Sequence, residues 1–184
     1  GAEEDNDAEE VESVVKQPET IQMPMQDRER AEVVTKFFDF EKDATEQTAA
    51  LKLYNNRYYQ SKGIDIADVD GDKFEVVAAL SGTVTEVKED PLYGFVVQMD
   101  HGDDITTHYA SLDAIQVDVG DEIKQGEMIA YAGTSLYGKD LGTHVYFEMR
   151  KAEQAVNPEK YFEQSVAKLT EDAESQPEED AHSE

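Results

Sequence analysis

The chain has 184 residues, with 43 acidic and 16 basic side chains for a formal charge of −27, and no cysteine. That length suits one domain with a modest core plus tails. Disulfides, thiolate metal sites and cysteine nucleophiles are excluded, and the charge disfavours nucleic acid and anionic membrane surface as partners.

The acidic excess gathers at the ends, where residues 1–30 hold 10 acids against 3 bases and residues 163–184 hold 8 against 1. Half of residues 1–26 are Glu, Asp, Gln or Pro, with few large apolar groups. Such a segment buries too little apolar surface to offset its ordering entropy, which predicts a disordered acidic linker. In residues 27–41, Val33, Phe37 and Phe40 recur at helical spacing, and Val34 and Phe38 widen the stripe. With Asp27 as N-cap, the pattern predicts a short amphipathic helix whose aromatic face packs on the domain or meets a partner. Residues 49–54 and 57–59 read as two strands about an Asn55-Asn56 turn, so that 27–57 forms an extension of helix and strands.

From Gly63 the pattern is β. Strands are predicted over 74–80, 83–88, 95–99, 105–110, 122–123, 128–132 and 143–149, punctuated by Asp70-Gly71, Ser81-Gly82, Tyr93-Gly94, His101-Gly102, Gly120-Asp121 and Gln125-Gly126. Many short strands at this spacing predict a mainly β domain, a barrel or sandwich, over 58–162. Residues 163–184 read as a weak helix passing into an acidic tail that holds His182.

The strand at 143–149 is the most informative. Alternation puts Val145, Phe147 and Met149 on one face and His144, Tyr146 and Glu148 on the other. Two imidazoles at the spacing of His144 and Tyr146 would suit a metal, but here the second ring is a phenol. Other matches fail. Residues 133–139 have P-loop spacing, yet Asp140 stands where a hydroxyl would hold magnesium. Aligning Asp68-Val69-Asp70-Gly71-Asp72 as an EF-hand puts Ile66 and Val77 at the terminal ligand positions, which leaves only a carboxylate-rich turn of weak cation affinity. Val119–126 resembles a biotinyl-carrier hairpin, but Lys124 and Lys139 lack the setting of a carrier lysine.

In order, Gly63-Ile64-Asp65-Ile66-Ala67, residues 84–99, Tyr109-Ala110-Ser111-Leu112, residues 119–126, Gly133-Thr134, residues 142–148 and Asn157-Pro158 resemble the LytM/lysostaphin-type zinc endopeptidases that cut peptidoglycan cross-bridges. The resemblance covers about residues 58–162. It implies a LytM-like β domain of barrel-sandwich type. The family's zinc is held by the histidine and aspartate of H-x-x-x-D and the second histidine of H-x-H; the histidine of Y-x-H-L and the first of H-x-H are catalytic. Carried over, the ligand positions are Ser61, Asp65 and Tyr146, and the catalytic positions are Ser111 and His144. Only Asp65 and His144 match. A catalytic zinc needs three protein ligands, so the resemblance implies a vestigial groove with no metal, no cofactor and no catalytic residues. His108 and His101 are read as a strand-surface and a turn residue.

Residues 31–60, 92–97 and 135–137 further look like the sporulation members of this group. That implies an extracytoplasmic ectodomain held at the forespore membrane by an anchor outside these 184 residues. It would bind the ectodomain of a mother-cell membrane protein across the intermembrane space. Val34, Phe37, Phe38, Leu53 and Tyr54 are the expected partner-binding residues. Peptidoglycan binding, or residual zinc endopeptidase activity, is the alternative.

Overall fold

The computed structural model describes residues 19–175. Its strands are β1 (Ala31–Thr35), β2 (Leu51–Tyr54), β3 (Arg57–Gln60), β4 (Ile64–Asp68), β5 (Glu75–Val77) and β6 (Gly82–Asp90). They continue as β7 (Gly94–Asp100), β8 (Ile105–Asp113), β9 (Glu122–Ile123), β10 (Met128–Ala132), β11 (Val145–Lys151) and β12 (Gln154–Val156). The main sheet runs β1-β4-β11-β8-β7-β6-β9, with β10 joining β5 to β8 and β12 on β11. Every strand pairing is antiparallel. The path ends on β1 and β9 without closing into a barrel.

The alternation read in the sequence becomes two layers. Val145, Phe147 and Met149 of β11 join Ile64, Ile66, Val97, Met99, Tyr109 and Ile129 in the main core. Tyr146, on the opposite face, packs in a separate cluster with Val96, Ala110 and Tyr93. A central antiparallel strand buried on both faces needs cover on each side. The second cover is the detached hairpin β2–β3, turned by Asn55 and Asn56, both at positive φ (52° and 62°). Two left-handed residues in a two-residue loop match the right-handed twist of the flanking strands.

The structure corrects two sequence expectations. The linker predicted to be disordered through residue 26 is packed by residue 21: Ile21 is 0% exposed and Met25 1%. Residues 22–26 run along β5, with Val77 donating to the Pro24 carbonyl at 3.1 Å and Gln26 to that of Glu75 at 3.1 Å. Residues 1–18 of that linker, and residues 176–184 of the acidic tail with His182, lie outside the described residues.

The helix predicted over 27–41 is instead a 3-10 turn at Arg28–Arg30 followed by β1. Val33-Val34-Thr35 is a β-branched run, stiff at χ1 and suited to a strand. The decisive factor is tertiary. All five residues of β4 are buried, and without β1 its outer edge would be an unpaired ladder. Pairing Val33 with Ile66 and Thr35 with Asp65 satisfies that edge. Helix α1 in this region is the five-residue Ala44–Thr48, capped by the Asp43 carboxylate accepting from Glu46 at 2.9 Å.

The helix expected after residue 163 is present and packs on the domain. After α2 (Pro158–Tyr161), helix α3 (Val166–Ser175) docks through Leu169, 1% exposed, and the Tyr161 hydroxyl donates to Asp172 at 2.7 Å.

Candidate functional site

Three adjacent strands line up the groove. Register places Tyr146 of β11 opposite Asp65 of β4 on one side and opposite Ala110 of β8 on the other. Directly opposed residues share a face, so Asp65, Tyr146 and Ala110 form one row. His144 lies one step before β11, pinned to Gly133 by backbone bonds of 2.9 and 3.1 Å in both directions. Ser61 lies at the entry to β4, and Ser111 follows Ala110. The five positions singled out in the sequence therefore converge on one region.

Two glycines make that convergence sterically feasible. A Cβ on Gly63 would lie 2.4 Å from the Phe147 carbonyl oxygen and 2.9 Å from Tyr146 Cζ. A Cβ on Gly138 would lie 2.4 Å from His144 Nε2. Any side chain at either place would displace a ring of the groove.

The donors are already engaged. Ser61 donates its hydroxyl to the Gly63 carbonyl at 2.8 Å. Ser111 holds φ at 60° inside β8, donates its backbone N–H to the Tyr93 carbonyl at 2.7 Å and gives its hydroxyl to Ser135 at 2.8 Å. Such a left-handed non-glycine residue costs of order 1–3 kcal/mol and persists only where its surroundings over-determine it. Tyr146 is 4% exposed and donates its phenol to Glu148 Oε1 at 2.7 Å; Arg150 Nε bonds the other Glu148 oxygen. Burial, then the Glu148 charge, pushes the Tyr146 phenol well above its usual pKa. Burial likewise raises Tyr93, to about 12.

His144 is buried, and its Nδ1 lies 2.9 Å from the Gly142 carbonyl. A carbonyl only accepts, so Nδ1 carries the proton and Nε2 presents its lone pair toward Asp65 Oδ1, 3.9 Å away. Burial lowers the His144 pKa, opposed in part by Asp65. The imidazole is neutral at neutral pH.

Sequence reasoning missed the residue at the centre. Lys52 of β2 is 8% exposed, with Nζ 3.1 Å from Asp65 Oδ2 and 3.4 Å from Oδ1. Oδ2 has no directed hydrogen bond, so charge proximity and not geometry balances it. The ammonium also sits 4.2 Å from the Tyr146 ring centroid, 5.5 Å from that of Tyr137 and 6.0 Å from that of Tyr93. Cation–π distances of about 6 Å or less are attractive. Above this cluster opens a cleft of about 550 Å³ lined by Phe37, Phe38, Phe40, Tyr59, Tyr93 and Tyr137. The hairpin alternation Leu51-Lys52-Leu53 would put the leucines inward; the structure inverts it, with Leu53 50% exposed.

His108 is opposite Glu148 on β8 and so shares the groove face, beyond Ala110. Burial, reinforced by Arg150, pushes it down to about 4. His101, read as a turn residue, bonds the Ser81 carbonyl through Nδ1 and the Thr107 hydroxyl through Nε2, both at 2.7 Å. Thr107 in turn bonds the Tyr109 hydroxyl at 2.9 Å. The Asp68-Asp70-Asp72 turn already has a cation: Arg30 donates to Asp68 at 2.7 and 2.9 Å and to Asp70 at 2.8 Å.

An antiparallel sheet with H-x-x-x-D-, Y-x-H-L- and H-x-H-like positions in one groove defines a LytM-type peptidase domain. The family profile of Peptidase family M23 matches residues 59–158, and the chain belongs to that family. Stage II sporulation protein Q of Bacillus subtilis (strain 168) is 42% identical over 175 residues, 95% of this chain; the chain spans 62% of that protein's length. A chain in a solved structure of the SpoIIQ-SpoIIIAH pore forming complex superposes with a TM-score of 0.81 at 42% identity, covering 84% of this chain and 98% of that one. The catalytic domain of lysostaphin from Staphylococcus simulans shares the fold, with a TM-score of 0.51 at 18% identity over 71% of this chain and 90% of that one.

Family membership implies zinc, and the donor set does not fit one. Zinc takes three protein donors such as histidine nitrogen, thiolate or carboxylate. Here Ser61 offers a hydroxyl already donating to the backbone, Tyr146 a phenol held protonated against Glu148, and Asp65 a carboxylate already paired with an ammonium.

Proposed function

We propose that this chain is the extracytoplasmic, non-catalytic binding part of a membrane-anchored sporulation protein. Its partner is the ectodomain of SpoIIIAH (stage III sporulation protein AH) or its equivalent, and the pair bridges the forespore and mother-cell membranes. The observation that carries this reading is the extent of the likeness. Identity of 42% covers 95% of the chain, whereas the peptidase family itself accounts only for residues 59–158. The alignment thus extends over residues on either side of the peptidase region, which fits a function located outside the groove. The groove chemistry supports the same reading. Without a metal to lower the pKa of water, a neutral His144 has no hydroxide to direct.

The contact surface we assign to the partner includes Val34, Phe37, Phe38, Leu53 and Tyr54, on the β1 edge and the hairpin. Val34 is 37% and Leu53 50% exposed, and strand β1 is at an end of the sheet, where a partner strand can add. Phe37 packs partly on the main core and Tyr54 against Tyr137, with ring centroids 5.5 Å apart. Leu53, Phe40 and Tyr58 are therefore the cleaner probes. Calorimetric titration with the purified SpoIIIAH ectodomain is expected to give a saturable complex, weakened at least about tenfold by Leu53→Glu with Tyr58→Glu. No binding by the unaltered protein would refute the proposal. So would chelator-sensitive release of cross-bridge fragments from purified peptidoglycan, since that requires a working zinc site.

A further inference from the structure

We infer that Lys52 is the resident cation of the groove: its ammonium is the permanent counter-ion of Asp65 and keeps a divalent metal from binding there. The chain thus supplies from its own hairpin the positive charge that a metal ion would otherwise bring to Asp65. A buried carboxylate needs such a charge or a dense set of hydrogen bonds. Asp65 is 0% exposed and lacks the second. His144 Nε2 stands 3.9 Å from the same Oδ1 that Lys52 bonds at 3.4 Å, so the ammonium and the imidazole converge on one carboxylate.

The ammonium is held there by the way the hairpin is attached. The backbone N–H of Ser61 donates to the Ala50 carbonyl at 2.9 Å and that of Lys36 to the Ala49 carbonyl at 3.1 Å, which clamps the base of β2. Tyr59 packs its ring on Tyr137 with centroids 5.5 Å apart, as Tyr54 does. The tyrosines Tyr93, Tyr137 and Tyr146 then turn their rings toward Nζ. This aromatic surround favours a monovalent ammonium. It offers a divalent metal no lone pair of comparable strength, and any metal that approached Asp65 would meet a fixed like charge about 3 Å away.

The losses at Ser61 and Tyr146 are therefore only part of the barrier to zinc. Restoring both imidazoles, by Ser61→His with Tyr146→His, is expected to leave zinc affinity near that of the unaltered protein in equilibrium dialysis against zinc chloride. Adding Lys52→Ala is expected to tighten it by at least about 100-fold, because juxtaposed like charges cost several kcal/mol. Equal affinity with and without Lys52, whether tight or weak, overturns the inference. If the histidine-restored proteins do not fold, a double-mutant cycle on Lys52→Met and Asp65→Asn decides the case by urea unfolding. The two losses should be non-multiplicative by about tenfold or more; simple multiplication of the effects refutes the pairing. Neither readout involves the sporulation partner, so both stand or fall separately from the proposed function.

Discussion

The strap at residues 21–26 gives the sharpest test of the fold, because composition alone argues for disorder there. Ile21 and Met25 are 0% and 1% exposed and both belong to the main core. Replacing Ile21 with Ala removes three buried carbons; at about 0.8 kcal/mol per buried methylene the transfer loss is about 2.4 kcal/mol. The cavity left behind adds to this, and large-to-Ala core changes span about 2–5 kcal/mol. Ile21→Ala is therefore expected to cost about 3 kcal/mol, and Met25→Ala a similar amount. For a chain of this size that corresponds to a fall of about 6–12 °C in Tm. Urea unfolding followed by far-ultraviolet circular dichroism measures the loss, with Gln22→Ala as a half-buried neighbour for comparison. A loss below about 1 kcal/mol for both core substitutions would show that the strap is not part of the cooperative unit. It would also restore the disordered linker through residue 26.

Stability should fall as pH drops from about 6.5 toward 4. His108 is pushed down to about 4 in the folded state, so the unfolded chain binds a proton in that window that the folded chain refuses. His101 and His144, also lowered by burial, act in the same sense. Unfolding midpoints measured at pH 7, 5.5 and 4 should decline in that order, and His108→Asn should flatten the decline; a pH-independent midpoint contradicts the assignment. Gly63→Ala should cost about 1–3 kcal/mol, since its Cβ would meet the Phe147 carbonyl, with a neutral result in the same urea assay counting against the packing described. Thr107→Val should cost about 1–3 kcal/mol by leaving buried partners unsatisfied. Its nitrogen-15 histidine spectrum should also show the loss of the hydrogen bond on His101 Nε2, and an unchanged His101 signal would refute that network.

Much of the fold was legible because it rests on local alternation. The β6, β7, β8, β10 and β11 segments each carry their period-2 pattern and their own turn residues, and the Asn55-Asn56 turn marks its hairpin without help from elsewhere. The row of groove positions was legible for a similar reason: His144 and Tyr146 lie on one strand face whatever that strand pairs with. By contrast, β1 was read as a helix, because Val33, Phe37 and Phe40 fit a 3.6 period as well as they fit their true places. The strap was read as disordered because its few packing side chains, Ile21, Met23, Pro24 and Met25, are interspersed with glutamines and follow an acidic run.

Sequence by itself therefore determined the β class, the family and the side chains at the groove positions, Ser61, Ser111 and Tyr146, since side-chain chemistry at a position is fixed by the residue alone. Only the tertiary structure decided what those side chains are packed and paired with. Asp65 needed a partner charge, and the alternation of β2 gave Lys52 no mark of an inward residue; it points inward because a buried carboxylate across the groove makes that the lower-energy face. Burial of a charge is a pairwise property, set by two residues distant in sequence.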